Sequence, residues 1–214
     1  MKLLSVNVGL PREVVWKNRV VTTGIFKEPV VGRVNADRLN IEGDRQADLT
    51  VHGGVDKAIY VYPSEHYEYW RGELPEVNLK WGAFGENLTV EGLLEDHVNI
   101  GDRFRIGTIE VVVTQPRIPC YKLAIKFDRD DILKRFTASR RSGFYLAVLE
   151  EGEIGVGDEI EPISRDANNI RVADIFSLYT DKQKDFDLMQ RATQVEALPE
   201  GWRTYFQERL AAKG

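Results

Sequence analysis

The sequence predicts a mainly β protein: a barrel or sandwich of short strands with a few short helices, followed by a small three-helix C-terminal domain. Three observations carry this. Short runs rich in β-branched residues recur up to about residue 163, separated by Gly-Asp and similar turn pairs. Beyond that point the apolar residues change to helical spacing. Between the two patterns, residues 164–169 are polar and read as a linker, which divides the chain into residues 1–164 and 165–214.

Residues 3–8 are a short apolar run, 25–30 a second strand ending in a turn, and 31–39 a third. The clearest pattern is 98–106, which leads through Gly107 into 109–114. Residues 144–149 and 154–160 suggest a hairpin turning at Glu150, Glu151 and Gly152. Two helices interrupt the strands. Ser64 can cap one that runs through Tyr67 and Trp70, with Glu65 favourably placed in its first turn. The other begins near Asp130 and places Ile132 and Phe136 on one face. In the tail, three sets follow helical spacing: Val172, Ile175, Phe176 and Tyr179; Leu188, Ala192 and Val195; and Leu198, Trp202, Tyr205, Phe206 and Leu210, with Pro199 at the helix start.

With 214 residues, 43% of them hydrophobic and 29% charged, the chain has the composition of an ordinary globular protein. Its net charge of -5 argues against general nucleic-acid or membrane-surface binding, while leaving room for a local basic pocket. One cysteine forms no internal disulfide, which fits a reducing cytoplasm. The N-terminal apolar run is too short for a signal peptide and no segment approaches a membrane span, so a cytoplasmic location is expected.

Four clusters can carry chemistry. In residues 45–58, His52 leads into the pair Gly53 and Gly54, with Lys57 close behind. Such glycines let backbone N–H groups converge on an anion beside a cation, although this cluster alone favours the plainer reading, a hairpin turn with a surface lysine. In residues 82–92, Gly85, Glu86 and Asn87 suit a loop that reads a heterocycle through donors and acceptors, or simply a tight turn into a strand. In residues 115–122, Cys120 sits on a proline-stiffened loop after a strand, with Arg117 and Lys122 on either side. Flanking cations favour thiolate, the species that ligates or attacks; the plain alternative is a buried cysteine acting as a small hydrophobe. Finally, Arg140, Arg141 and Ser142 precede Gly143 and a strand, an arrangement suited to a phosphate or to a solvated turn. His66 and His97 have no partner at metal-ligand spacing, and no zinc, P-loop or Rossmann pattern is present.

In order and spacing, these clusters resemble the MOSC domain family, in particular its stand-alone branch with a following three-helix domain. The residues that carry the resemblance are 48–54, 85–89, 100–102, 115–120 and 142–145. It implies a MOSC-type β-barrel holding the molybdenum cofactor (Mo-molybdopterin), with Cys120 as metal ligand and catalytic residue. Lys57, Arg117 and Arg141 become candidates for the pterin phosphate. His52, Gly53, Gly54, Gly85, Glu86, Asn87 and Ser142 become candidates for contacts to the pterin or around the metal. Thiolate on a redox-active metal is chemically sensible.

The activity so implied is reduction of N-hydroxylated compounds, such as hydroxylaminopurine base analogues, to amines. The chain has no iron–sulfur cysteine set and no flavin or nicotinamide motif, so electrons are expected from a separate flavin or iron–sulfur reductase. The other reading is a carrier of cofactor or persulfide sulfur without turnover. The sequence leaves a homodimer open.

Overall fold

The period-two runs become strands, and the places where they bury both faces show where the sheet is covered. The computed structural model describes residues 1–47 and 53–212. Its strands are β1 (Lys2–Val8), β2 (Arg12–Trp16), β3 (Arg19–Thr23), β4 (Glu28–Pro29), β5 (Arg33–Ala36) and β6 (Ile59–Pro63). They continue as β7 (Leu88–Glu91), β8 (Arg103–Ile106), β9 (Ile109–Pro116), β10 (Phe144–Glu150), β11 (Gly152–Gly155) and β12 (Ile160–Ser164). Eight of these form one sheet in the order β12-β8-β9-β10-β6-β7-β1-β4, antiparallel except for β6 against β7.

The order is that of an open sheet. Its ends nevertheless curl toward each other: Lys2 and Glu159 form an isolated bridge, and Leu3 N–H donates to Asp158 O at 2.9 Å. Among the described residues no continuous ladder closes the barrel expected from the sequence. No helix among them is long and apolar enough to cross a membrane.

The helices are α1 (Glu65–Glu73), α2 (Tyr121–Phe127), α3 (Ile132–Ser139), α4 (Val172–Thr180), α5 (Phe186–Ala192) and α6 (Glu200–Ala211), with a short 3-10 turn at Val55–Lys57. Every residue of β6 is buried, because its two faces meet different layers. Ile59 and Val61 join the main aliphatic core, whereas Tyr60 and Tyr62 join an aromatic cluster with Tyr67, Trp70, Phe84 and Phe136 from α1, α3 and the loop before β7. Trp70 stacks on Phe136 at 5.8 Å between ring centroids and gives its indole N–H to the Tyr62 hydroxyl.

Several expectations need correction. Residues 144–149 and 154–160 do not form a hairpin: β10 lies between β9 and β6, and β11 pairs with β5. The long apolar β9 offers β10 a better-buried edge than the short Gly-rich β11. Residues 25–30 contribute only β4, while the β2–β3 hairpin, turning through Lys17 and Asn18 at positive φ, is an addition. Ser64 stands at the N-cap of α1 but makes no side-chain cap bond. Helix α2, directly after Cys120, is also additional.

At the start of α3, Asp131 accepts hydrogen bonds from Arg129 and Arg135. Arg129 first, and Arg135 with it, hold its pKa at about 2 against an ordinary 3.8. A depressed carboxylate contributes stability above its unfolded value and loses it as pH falls through the folded one. Carboxyl NMR is therefore expected to give Asp131 a midpoint near 2, and Arg129→Gln to move it back toward 3.8.

The tail helices share the core of the sheet. Val172, Ile175, Leu178, Met189, Ala192, Val195, Leu198 and Phe206 belong to the same buried cluster as Leu3, Val6, Ile100 and Val113. Val172 N–H donates to Val98 O, and Ile100 N–H to Ile170 O. Burying one large aliphatic side chain is worth about 1.5–3 kcal/mol, and a domain's whole stability is only about 5–15 kcal/mol. Truncation after Ser164 is thus expected to abolish cooperative unfolding and give insoluble or molten protein. A sharp thermal transition in the truncated chain would contradict this.

Candidate functional site

Strand β9 ends at Pro116, and residues 117–120 cross the end of the sheet before α2 begins. Cys120 occupies the N-cap of α2 in extended conformation (φ -125°, ψ 170°) and is half-buried. The loop is fastened at its base, where Arg117 N–H donates to Gly143 O at 3.2 Å. Gly143 has φ +62°, and a Cβ there would stand 2.4 Å from Val61 O, so only glycine lets β10 enter so close to β6.

Cys120 opens on a cavity whose described lining includes Thr23, Gly24, Ile25, Lys27, Asp44, Arg45, Gln46, Lys57, Tyr60, Gly85, Asn87, Arg117, Ile118, Lys122 and Tyr145. Five of these side chains are cationic: Lys27, Arg45, Lys57, Arg117 and Lys122. Asp44 is the one acid among the described residues of the wall. The acidic chain therefore concentrates positive charge around its single thiol.

Each cation is held differently. Arg117 is buried, its guanidinium donating to Phe84 O at 3.0 Å and to the Tyr60 hydroxyl at 3.3 Å, and lying 4.8 Å from the centre of the Tyr60 ring. Burial opposes its charge, but Tyr60, Tyr145 and Cys120 outweigh that and push its pKa further up. It is a fixed positive group. Lys57 is lowered by burial, partly offset by Asp56. Lys27 is lowered by burial in spite of its ion pair with Asp44. Asp44 also accepts from Gly9 N–H and from Asn87 Nδ2, each at 2.9 Å. Asn87 Oδ1 in turn accepts the Tyr60 N–H at 3.0 Å, so this wall is braced from several elements.

Of the residues singled out from sequence, Lys57, Gly85, Asn87, Arg117, Cys120 and Lys122 meet at this cavity. Gly53 and Gly54 line an adjoining cleft against the tail helices. His52 lies outside the described residues. Glu86 is placed behind the wall: fully buried, it accepts from the Tyr67 hydroxyl, Gly82 N–H, Phe84 N–H and the Thr89 hydroxyl, and so folds its own loop. Arg141 and Ser142 are not brought to the described lining. Arg141 lies over the Tyr69 ring at 3.9 Å and donates to Ser139 O, so of the three cations expected together only Lys57 and Arg117 line this cavity. Ser142 is buried, with its hydroxyl on Gly143 O.

Lys27, Asp44, Arg45 and Tyr60, which also line the cavity, are not singled out by the sequence, and Tyr145 is marked only as the end of the 142–145 stretch. Arg45 opens the His52 cluster and so carried a weak signal, but Lys27 and Asp44 belong to no motif.

Among the described residues no three His, Cys, Asp or Glu side chains gather as a metal-binding set. A metal on Cys120 would need further soft ligands from its own cofactor, which a dithiolene supplies. Cations around a single thiol also suit a phosphate-bearing anion, so the donor set fits the molybdenum cofactor.

The comparisons agree with this architecture. The MOSC domain matches residues 48–161, and the YiiM-like, 3-alpha helix domain matches residues 172–212. The chain is 42% identical to YflK of Bacillus subtilis (strain 168), over 97% of this chain and 93% of that one. The crystal structure of YiiM from Geobacillus stearothermophilus matches with a TM-score of 0.82 at 37% identity, covering 98% of each chain. A protein of Gibberella moniliformis (strain M3125 / FGSC 7600) named a reductase is 32% identical over 82% of this chain, which spans 32% of its own length. This chain belongs to the MOSC domain family, with the YiiM-like three-helix domain following its MOSC domain.

Proposed function

We propose that the protein is a molybdenum-cofactor-binding oxidoreductase that reduces N-hydroxylated compounds to amines, with electrons from a separate flavin or iron–sulfur reductase. The observation that carries the reading is the placement of Cys120 on a cavity walled by Lys27, Arg45, Lys57, Arg117 and Lys122. The fungal relative named a reductase supports the redox class.

Cys120 is the residue to hold the metal. In this reading Lys57, Arg45 and Lys122, which line the cavity, would take the phosphate, while Arg117, pinned by Phe84 O and Tyr60, would keep the floor positive. Bound there, the cofactor would supply two-electron chemistry at an N–O bond, the protein contributing position and electrostatics. The balance is one N-hydroxyl compound, two electrons and two protons to one amine and one water. Burial raises the pKa of Tyr60 and Tyr145 against the opposing pull of Arg117, so both hydroxyls keep their protons, and that of Tyr60 is given to Ser142 O at 2.8 Å.

The test is metal analysis of protein from a host that makes the cofactor, followed by turnover of hydroxylaminopurine with a chemical electron donor. Stoichiometric molybdenum with amine formation is expected. Bound cofactor or sulfane sulfur without amine formation would replace this reading with that of a carrier.

A further inference from the structure

Beside the cationic cavity runs a second cleft, between the loops at the end of the sheet and the tail helices, and its described lining includes Lys57, Gln115, Ile118, Tyr179, Trp202 and Tyr205. Lys57 and Ile118 line both spaces, so the cleft adjoins the cavity that contains Cys120. Its tail side is aromatic. Tyr179 from α4 and Trp202 from α6 meet edge to face at 5.3 Å, and Tyr205 lies 5.7 Å from Tyr179. Tyr179 is 43% exposed although its ring has two aromatic neighbours. On the opposite side Gln115 is buried and its amide is oriented: Oε1 accepts the Trp202 indole N–H at 2.8 Å and Nε2 donates to Asp56 O at 3.3 Å. An amide has two donors and two lone pairs, so each end of Gln115 can serve one more partner besides these.

We propose that this cleft is the substrate subsite, taking a flat heteroaromatic ring against Tyr179 and Trp202 while the N-hydroxyl end reaches past Ile118 to the cavity of Cys120. The proposal rests on the reductase reading for its direction, but the ring site itself does not. An aromatic face recognises any flat ring through its π surface, and the Gln115 amide adds hydrogen bonding at the edge. The tail helices thereby gain a role beyond closing the core: they carry the ring-contacting half of a site whose reactive half lies on the MOSC domain.

The experiment compares the full-length, metal-loaded protein with Tyr179→Ala and Tyr179→Phe. Two substrates are used, 6-hydroxylaminopurine, which is flat and aromatic, and hydroxyurea, which is not. Binding of adenine is measured separately by calorimetry. Tyr179→Ala is expected to lower the ratio of kcat/KM for the aromatic over the non-aromatic substrate by about 10-fold, through KM, and to weaken adenine by about 10-fold. Tyr179→Phe, which keeps the ring, is expected to stay within about twofold of the parent. If the alanine variant does not fold, Tyr179→Leu gives the same readings with apolar bulk retained. Adenine binding that weakens in a protein that reduces neither compound would keep the subsite and remove the reductase reading. Reduction with an unmoved ratio and unmoved adenine affinity would overturn the subsite alone. A parent protein that does not bind adenine would overturn it as well.

Discussion

Replacing Cys120 by serine is expected to strip bound molybdenum from the protein and to lower N-hydroxyl reduction by more than about 100-fold, above the loss typical of second-layer partners of a metal. Serine keeps the shape of the side chain and is a favoured residue at the start of a helix, where Cys120 stands. It is a poor ligand for a soft metal. The half-buried position leaves no large cavity behind, so stability is expected to change by less than about 1 kcal/mol. Metal content, turnover and the thermal transition are measured on the same preparation. Undiminished reduction by a metal-loaded, normally folded variant would remove Cys120 from the metal.

The loop that carries Cys120 was legible because its signals are local. A β-branched run ending in Pro116, a second proline at 119 and flanking cations describe a strand end and an electropositive thiol without any knowledge of the fold. The tail was legible for the same reason: helical spacing of Val172, Ile175 and their successors depends only on the chain's own period. Pairing between distant strands carries no such signal. Strands β10 and β11 adjoin in sequence, yet each finds its partner elsewhere, in β9 and β6 or in β5. Glu86 shows the same limit at the site. A Glu-Asn pair among glycines suits ligand reading, but the acid turns inward to gather Tyr67, Thr89 and two loop N–H groups, while Asn87 beside it reaches the cavity wall. Lys27 and Asp44 are joined only by the folded chain, seventeen positions apart and outside every motif.

That pair sets the second large effect. Asp44→Ala is expected to cost about 3–5 kcal/mol, the range for removing one partner of a buried ion pair, out of a total of about 5–15 kcal/mol. The side chains of Lys27 and Asp44 are 8% and 1% exposed, so the pair is largely removed from bulk water. Its removal leaves the Lys27 ammonium without its counter-charge, and takes the acceptor from Gly9 N–H and Asn87 Nδ2. The pH dependence follows from the direction of the lysine's shift. Burial already holds the folded pKa of Lys27 below 10.5 despite Asp44. Protonated Lys27 therefore burdens the folded state, and the burden lifts as pH rises from the folded value toward the unfolded one. Without Asp44 the folded value falls further and that window opens at lower pH. Urea unfolding should then show a smaller deficit for Asp44→Ala near pH 9 than near pH 6. The double variant Lys27→Met with Asp44→Leu, which removes both charges and keeps apolar volume, should recover more than about 1 kcal/mol of the loss. An equal deficit at both pH values, with no recovery in the double variant, would mean that the ionic contact itself contributes little and that Asp44 acts only as an acceptor for Gly9 and Asn87.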